Sequence, residues 1–247
     1  LGMMAMRNPS ANLAAAHLHF DAARKTAETL TGAQQTDASA LNLLSLSRLG
    51  LGDCYLAGRR FRDASDAYAL AQRAAKQSLD IKDSDDASRA LWEAEIKSAE
   101  VALALEQIES AERHLRAANA ALGGLPRGTK SVPELLTLLR QGELYSARGL
   151  TSDALQSYRK CVDDAYTALD AENDPHVWPV MAEAAERLGM TARTMRDHHL
   201  RERNQVDPKP APGRVLVNAH GQANSAPAGA AGPAPGPALQ SIRGGKA

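Results

Sequence analysis

The sequence is poor in aromatic residues, has no net charge and contains no long apolar run. Aromatic residues make up 4% of the 247 residues while 44% are hydrophobic, so the core has to be built largely from small side chains, which favours helices packed on helices. Basic and acidic residues number 29 each and leave a formal net charge of +0. Because no overall field would hold the chain on nucleic acid or an anionic membrane, we expect no nucleic-acid partner.

Cysteine is also scarce, and Cys54 and Cys161 lie in apolar helical patterns. They are typical of buried thiols in a reducing compartment, so a cytoplasmic location is expected. No stretch approaches the roughly 18 apolar residues that a membrane-spanning helix needs, so no membrane insertion is expected. Since the chain begins with Leu1, a processed or truncated N-terminus would leave other compartments open.

Recognisable chemistry is missing as well. The sequence has no P-loop, no dinucleotide-binding glycine fingerprint, no nucleophile elbow and no HExxH motif. His198 and His199 are adjacent, which places them about 100° apart on a helix and makes them poor joint metal ligands. We therefore predict no catalytic residues, no metal site and no cofactor, and we expect that the protein is not an enzyme.

What the sequence does contain is helical periodicity throughout, which predicts an all-α fold. A first helix is predicted from Pro9 to about Thr31, and three repeat units follow at 37–79, 85–122 and 131–169. A terminal cap of two helices is predicted at 174–203, with a break between Leu188 and Thr191. The segment 206–247 is rich in proline, alanine and glycine and is predicted to be a flexible tail after a helical domain at 1–205.

Small and aromatic residues recur at fixed offsets in these units. The three sets are Gly52, Tyr55, Ala64 and Tyr68; Ala99, Ala102, Ala111 and Leu115; and Gly142, Tyr145, Ala154 and Tyr158. The small residues of the two helices in a unit are expected to meet where the helices cross, which allows a close approach. The tyrosines are expected to fill the space toward the neighbouring pair.

This pattern resembles the tetratricopeptide repeat family in a long-repeat variant, because its spacing exceeds the usual 34 residues. The resemblance implies an α-α superhelix of stacked antiparallel hairpins, whose first helices line a concave groove that holds a protein segment. It further implies a non-catalytic scaffold or adaptor in an assembly, secretion or regulatory complex. The groove residues that it implies are Leu49, Asp53, Leu56, Ile96, Lys97, Glu100, Leu103, Leu139, Arg140 and Glu143.

One acidic residue recurs in each unit, at Asp53, Glu100 and Glu143. Such a column would favour a partner with apolar side chains and a basic or amide group. Alternatively, Lys97 and Arg140 each precede an acid by three residues, so Glu100 and Glu143 are also candidates for ion pairs within their own helices. Two other functions stay open: a structural subunit held in a large complex by its convex face and C-terminal tail, and a ligand-sensing regulatory module.

Overall fold

The structure, a computed structural model, describes residues 9–33, 37–126, 131–172 and 174–206. These ranges are all-helical and contain no β-strand, as predicted. The helices are α1 (Pro9–Ala33), α2 (Ala38–Ala57), α3 (Phe61–Ile81), α4 (Asp85–Ala104), α5 (Ile108–Leu122), α6 (Ser131–Ala147), α7 (Thr151–Glu172) and α8 (Val177–Val206). The chain divides into two units at Arg201 and Glu202. The predicted tail lies outside the described residues except for Val206.

Three helical hairpins, α2–α3, α4–α5 and α6–α7, form the repeating part of the structure, and α2 contacts α4 as α4 contacts α6. Their turns share one geometry. Arg59, Glu106 and Gly149 occupy the left-handed region, with φ of 56°, 57° and 75°. In each turn the next amide donates to a carbonyl five residues back, which is the wider hydrogen bond of a Schellman motif. The first two turns therefore keep this conformation without glycine.

The glycine of each outer hairpin is covered by a tyrosine ring. A Cβ atom on Gly52 would lie 2.3 Å from Tyr68 Cε1, and one on Gly142 would lie 2.4 Å from Tyr158 Cε1. Both rings are fully or almost fully buried. Tyr68 and Tyr158 also pack against the helix that follows their hairpin, as predicted, and the contact of each ring with the glycine of its own hairpin adds to that prediction.

Each hairpin shares a hydrophobic cluster with the first helix that follows it. Tyr68 and Ala64 pack with Ala94 and Val101 of α4. In the next layer Ala111 and Leu115 pack with Leu144 of α6. In the last layer Ala154, Tyr158 and Cys161 pack with Val177, Val180 and Ala184 of α8. The core therefore lies between successive helices, where small side chains allow close packing.

The end of the described chain differs from its prediction. α8 is one helix of 30 residues, so the expected break between Leu188 and Thr191 is wrong. Gly189 inside a helix costs only about 1 kcal/mol, and the packing of Val177, Val180 and Ala184 on α6 and α7 offsets that cost. Thr191 therefore lies inside the helix and does not cap a new one.

At the other end, α1 packs on α2. The ring of Phe20 covers Gly50, where a Cβ atom would lie 2.3 Å from Phe20 Cδ1. His17 Nε2 lies 3.3 Å from the Tyr55 hydroxyl, and Arg48 of α2 pairs with Glu28 of α1 at 3.3 Å. Ala27 of α1 also packs with Leu44 and Ala74, so the N-terminal helix is held on the first hairpin by apolar, aromatic and polar contacts.

Both cysteines are buried and free, as predicted. Cys161 is fully buried, and its thiol donates to the Leu135 carbonyl at 3.3 Å. Burial raises the pKa of Cys161 to about 12, and the nearby charges of Asp164 and Glu183 act in the same direction. Burial also raises the pKa of Cys54. Neither thiol is therefore activated at neutral pH.

Across the described ranges, every helix falls short of the length or the hydrophobicity that crossing a bilayer requires.

Candidate functional site

The predicted groove residues lie on α2, α4 and α6, and the structure separates them into two groups. Leu49, Ile96 and Leu139 are buried, with exposures of 4%, 3% and 0%, so their prediction as groove residues is wrong. They belong to the hydrophobic clusters between helices. The other predicted residues are partly exposed: Asp53, Leu56, Lys97, Glu100, Leu103, Arg140 and Glu143. We call the surface that α2, α4, α6 and α8 share the even-helix face.

Ion pairs cross this face from each helix to the next. Lys97 Nζ of α4 lies 3.5 Å from Asp53 Oδ1 of α2. Arg140 Nη2 of α6 lies 3.4 Å from Glu100 Oε2 of α4. The same relation continues with Arg187 of α8, whose Nη2 lies 3.0 Å from Glu143 Oε1 of α6. Each basic residue therefore joins its helix to the acid of the preceding even-numbered helix.

The same residues also pair within their own helices, as the alternative hypothesis proposed. Lys97 Nζ lies 3.7 Å from Glu100 Oε2, and Arg140 Nη1 lies 2.9 Å from Glu143 Oε2. All three acids of the column thus have basic partners. The column holds neighbouring helices together and is not a free row of carboxylates.

Arg140 is the centre of this network. Its side chain is 11% exposed and contacts Glu100, Glu143 and Glu183, the last at 3.1 Å. Burial works against the charged form, but the charges of the three carboxylates outweigh it and raise the pKa of Arg140. Its Nε is buried and has no hydrogen-bond partner among the described residues. The guanidinium is therefore permanently charged and held in place on several sides.

A groove of about 770 Å³ lies over this network. Its walls come from α4, α6, α8 and the first half of α7, and we call it the α6 groove. Four predicted residues line it: Glu100, Leu103, Arg140 and Glu143. Asp53, Leu56 and Lys97 are not among its lining residues. The structure therefore brings together two predicted residues of the second unit and two of the third, and it leaves Lys97 and the residues of the first unit outside the groove.

Tyr158 closes the floor of the α6 groove. The residue is 2% exposed, and no hydrogen bond links its hydroxyl to another residue in the described ranges. Burial, followed by the charge of Glu143, raises the pKa of Tyr158 to about 12, so the hydroxyl is protonated at neutral pH. The floor of the groove thus offers a hydroxyl that can both donate and accept, on a side chain that is otherwise buried.

The sequence-based prediction missed the contribution of α8, which supplies Glu183, Arg187 and Met190 to the groove. A signal was available. Lys97, Arg140 and Arg187 each stand two residues before a small residue, at Ala99, Gly142 and Gly189. That offset marks α8 as a fourth member of the series formed by α2, α4 and α6. The assumed helix break at Leu188 concealed it.

A second polar cluster lies away from the even-helix face, around Glu95 of α4. Glu95 is 3% exposed, and its carboxylate lies 2.8 Å from His114 Nδ1 and 3.5 Å from Lys76 Nζ. Gln72 Nε2 donates to it at 3.2 Å. A cleft of about 460 Å³, lined by α3, α4 and α5, adjoins this cluster. Because its charges are paired, the cluster links α4 to α3 and α5, the second helices of two adjacent hairpins.

Within the described ranges, no group of three or more His, Cys, Asp or Glu side chains is placed to hold a metal ion. No protein-family model matches the sequence, and no curated protein matches it.

Proposed function

We propose that the protein is a non-catalytic scaffold or adaptor of the tetratricopeptide type that binds a segment of another protein. In this proposal the hairpins stack into an α-α superhelix with the even-helix face on its inner, concave side. The bound segment lies across α4, α6 and α8, in the α6 groove. The complex that the protein serves would be one of assembly, secretion or regulation.

The observation that carries the proposal is the α6 groove itself. Its polar side chains are held by ion pairs between three helices, so it presents a rigid and chemically varied surface. Exposed apolar atoms of Leu103 and Met190 lie beside these charges. A mixture of apolar area and oriented polar groups is typical of peptide-binding grooves. Three of the four helices that line it, α4, α6 and α7, belong to the hairpins, and α8 packs on the last hairpin.

The proposal is tested by selecting peptides of about 12 residues from a displayed random library on the full chain. The selected peptides are then measured on a variant with the groove filled by Ala147→Trp and Met190→Trp. Both residues are exposed and line the groove, but neither takes part in the ion-pair network. We expect most selected peptides to lose binding to this variant, because the two indoles occupy the space that a peptide would use.

The matched control carries Ala182→Trp and Met195→Trp, at exposed positions of α8 outside the groove lining. It should bind the selected peptides as the unmodified chain does. Circular dichroism of both variants checks that the helices are retained. Peptides that bind the filled variant and the control equally well would contradict the proposal.

The cleft beside Glu95 favours a second candidate, a structural subunit held by the surface of its second helices. Ala117, Ala120 and Leu79 give this cleft an apolar lining. Under that function Ala120→Arg, a change at an exposed residue, would prevent incorporation into the complex while the groove-filling variant is incorporated normally. The reverse pattern would reject the second candidate.

A further inference from the structure

We propose that the α6 groove selects a segment with a basic side chain, arginine or lysine, and binds its charged group between Glu100 and Glu183. The inference rests on the proposed function, because it gives the chemistry of the segment that the same groove binds. A volume of about 770 Å³ leaves room for one long side chain and for parts of the residues beside it. The partner is a protein segment and not a free small cation.

The balance of charge in the groove favours a cation. Three carboxylates, of Glu100, Glu143 and Glu183, face two guanidinium groups, of Arg140 and Arg187. Both guanidinium groups already contact carboxylates, and the side chain of Arg140 is only 11% exposed. The C-terminal ends of α4 and α6 also line the groove, against the N-terminal end of α7 alone, which adds negative partial charge.

Two carboxylates of the groove are partly exposed as well as ion-paired. Glu100 pairs with Arg140 and Lys97 through Oε2, and Glu183 pairs with Arg140 and Arg187 through Oε1. The two side chains are 29% and 37% exposed. They contact different nitrogens of Arg140, Nη2 and Nη1, so a cation beside both would add a further ion pair to each carboxylate.

The hydroxyl of Tyr158 points independently to a ligand. The residue is 2% exposed and lines the groove, yet its hydroxyl lacks a partner within the described part of the chain. The equivalent tyrosine of the first hairpin, Tyr68, donates to Asp53 Oδ1 at 2.7 Å. In the third hairpin Glu143 is instead engaged by Arg140 and Arg187. A ligand in the groove would supply the partner that Tyr158 lacks.

The apolar lining of the groove fits the stem of such a side chain. Leu103, Ala104, Ala147 and Met190 line it beside the charged groups. The methylene groups of arginine or lysine cover apolar surface while the charged end reaches a polar partner. An acidic side chain would meet an excess of carboxylates here, and a purely apolar one would gain no ion pair.

The experiment compares affinities of peptides selected on the full chain, measured by fluorescence anisotropy. We expect the peptides to share a basic residue, and its replacement by norleucine should weaken binding to the unmodified chain roughly tenfold or more. The same replacement should have little further effect on the Glu100→Gln, Glu183→Gln double variant, since the two changes remove one interaction. Tyr158→Phe should weaken binding roughly three- to tenfold.

Glu28→Gln is the matched control. Glu28 has an exposure of 39%, close to that of Glu183, and pairs with Arg24 and Arg48 in α1 and α2. This variant should bind the peptides within about twofold of the unmodified chain.

Two failures are distinguishable. This inference would be overturned if the groove-binding peptides shared no basic residue. It would also be overturned if the norleucine replacement weakened binding to the double variant as much as binding to the unmodified chain. Either result would leave the proposed function standing. Peptides that bind equally well when the groove is filled would overturn both.

Discussion

The first and third hairpins have the same residues at the same offsets, but they use them differently. In both, a buried tyrosine ring covers a glycine of the facing helix. Tyr68 donates to Asp53, whereas the Tyr158 hydroxyl opens onto the α6 groove. The difference arises from neighbouring helices. Glu143 lies between two arginines, one from its own helix and one from α8, while Asp53 has a single lysine.

The comparison shows that one arrangement of small and aromatic residues serves two purposes. In the first hairpin Tyr55, Tyr68 and Asp53 each have a partner within the protein. That hairpin is a structural element. In the third hairpin the arginines of α6 and α8 take the carboxylate away from the tyrosine. That rearrangement leaves the Tyr158 hydroxyl facing the α6 groove beside the partly exposed carboxylates of Glu100 and Glu183, which is the chemical basis of the proposed function.

The largest effect is expected from removing the central guanidinium. Arg140→Met should destabilise the fold by about 3 kcal/mol, because three carboxylates then face one another beside a buried site. Lys97→Met, at the equivalent position of the second unit but with 30% exposure, should cost less than about 1 kcal/mol. Urea unfolding of the two variants measures the difference. Equal losses of unfolding free energy would mean that the two basic residues stabilise the fold to the same extent.

The glycine positions should respond alike in the two hairpins. Gly52→Val and Gly142→Val should each cost about 2 kcal/mol, because the added atoms overlap a buried tyrosine ring. Gly189→Val is the control, since a Cβ atom there meets only Arg193 Nη2 at 3.9 Å. Thermal unfolding followed by circular dichroism checks all three. A control as unstable as the other two would show that backbone effects and not the rings are responsible.

The tyrosine hydroxyls should separate the hairpins. Tyr68→Phe is expected to lose about 1 kcal/mol of stability, since its hydrogen bond to a partly exposed carboxylate disappears. Tyr158→Phe should change stability by less than about 0.5 kcal/mol, because its hydroxyl makes no internal bond to lose. Chemical unfolding of the two variants gives both values. A larger loss at Tyr158 would contradict the structural distinction between the hairpins.

The last expected effect appears only at alkaline pH and is absent at neutral pH. The pKa of Cys161 rises from 9.0 to about 12 on burial, so the folded state keeps a proton that the unfolded state releases. The contribution is fully present below pH 9.0 and is lost as the pH rises toward 12, because unfolding then releases that proton. Across this window, the free energy of unfolding should fall less steeply with pH in Cys161→Ala than in Cys54→Ala. Equal slopes would be contrary to expectation.

Much of the fold was predictable because helix formation and breakage are local. The first helix was predicted from Pro9 to about Thr31, and α1 begins at Pro9 and ends two residues later than predicted, at Ala33. The break expected at Leu188 failed because a glycine in a helix is a weak signal that tertiary packing overrides. Cross-helix relations were harder. That Tyr158 covers Gly142 depends on helix rotation, which sequence spacing alone does not determine.

The candidate site was predicted only in part, because sequence spacing does not determine how each helix is rotated. Spacing placed Glu100, Arg140 and Glu143 on one face, and they do line one groove. It could not distinguish them from Leu139, one residue from Arg140, which faces the core. The contribution of α8 required knowing that this helix continues the series. Its arginine at position 187 repeats the offset of Lys97 and Arg140, which is a signal that a search for repeated charges would detect.

Hydrogen–deuterium exchange of the full chain, with and without a selected peptide, tests the central claim most directly. Binding in the α6 groove predicts slower exchange in the last turn of α4, in residues 140–151 and in residues 183–194, with α2 and α3 unchanged. Slower exchange confined to the cleft of α3 and α5, around Lys76 and Ala120, would contradict the account and favour attachment through the second helices.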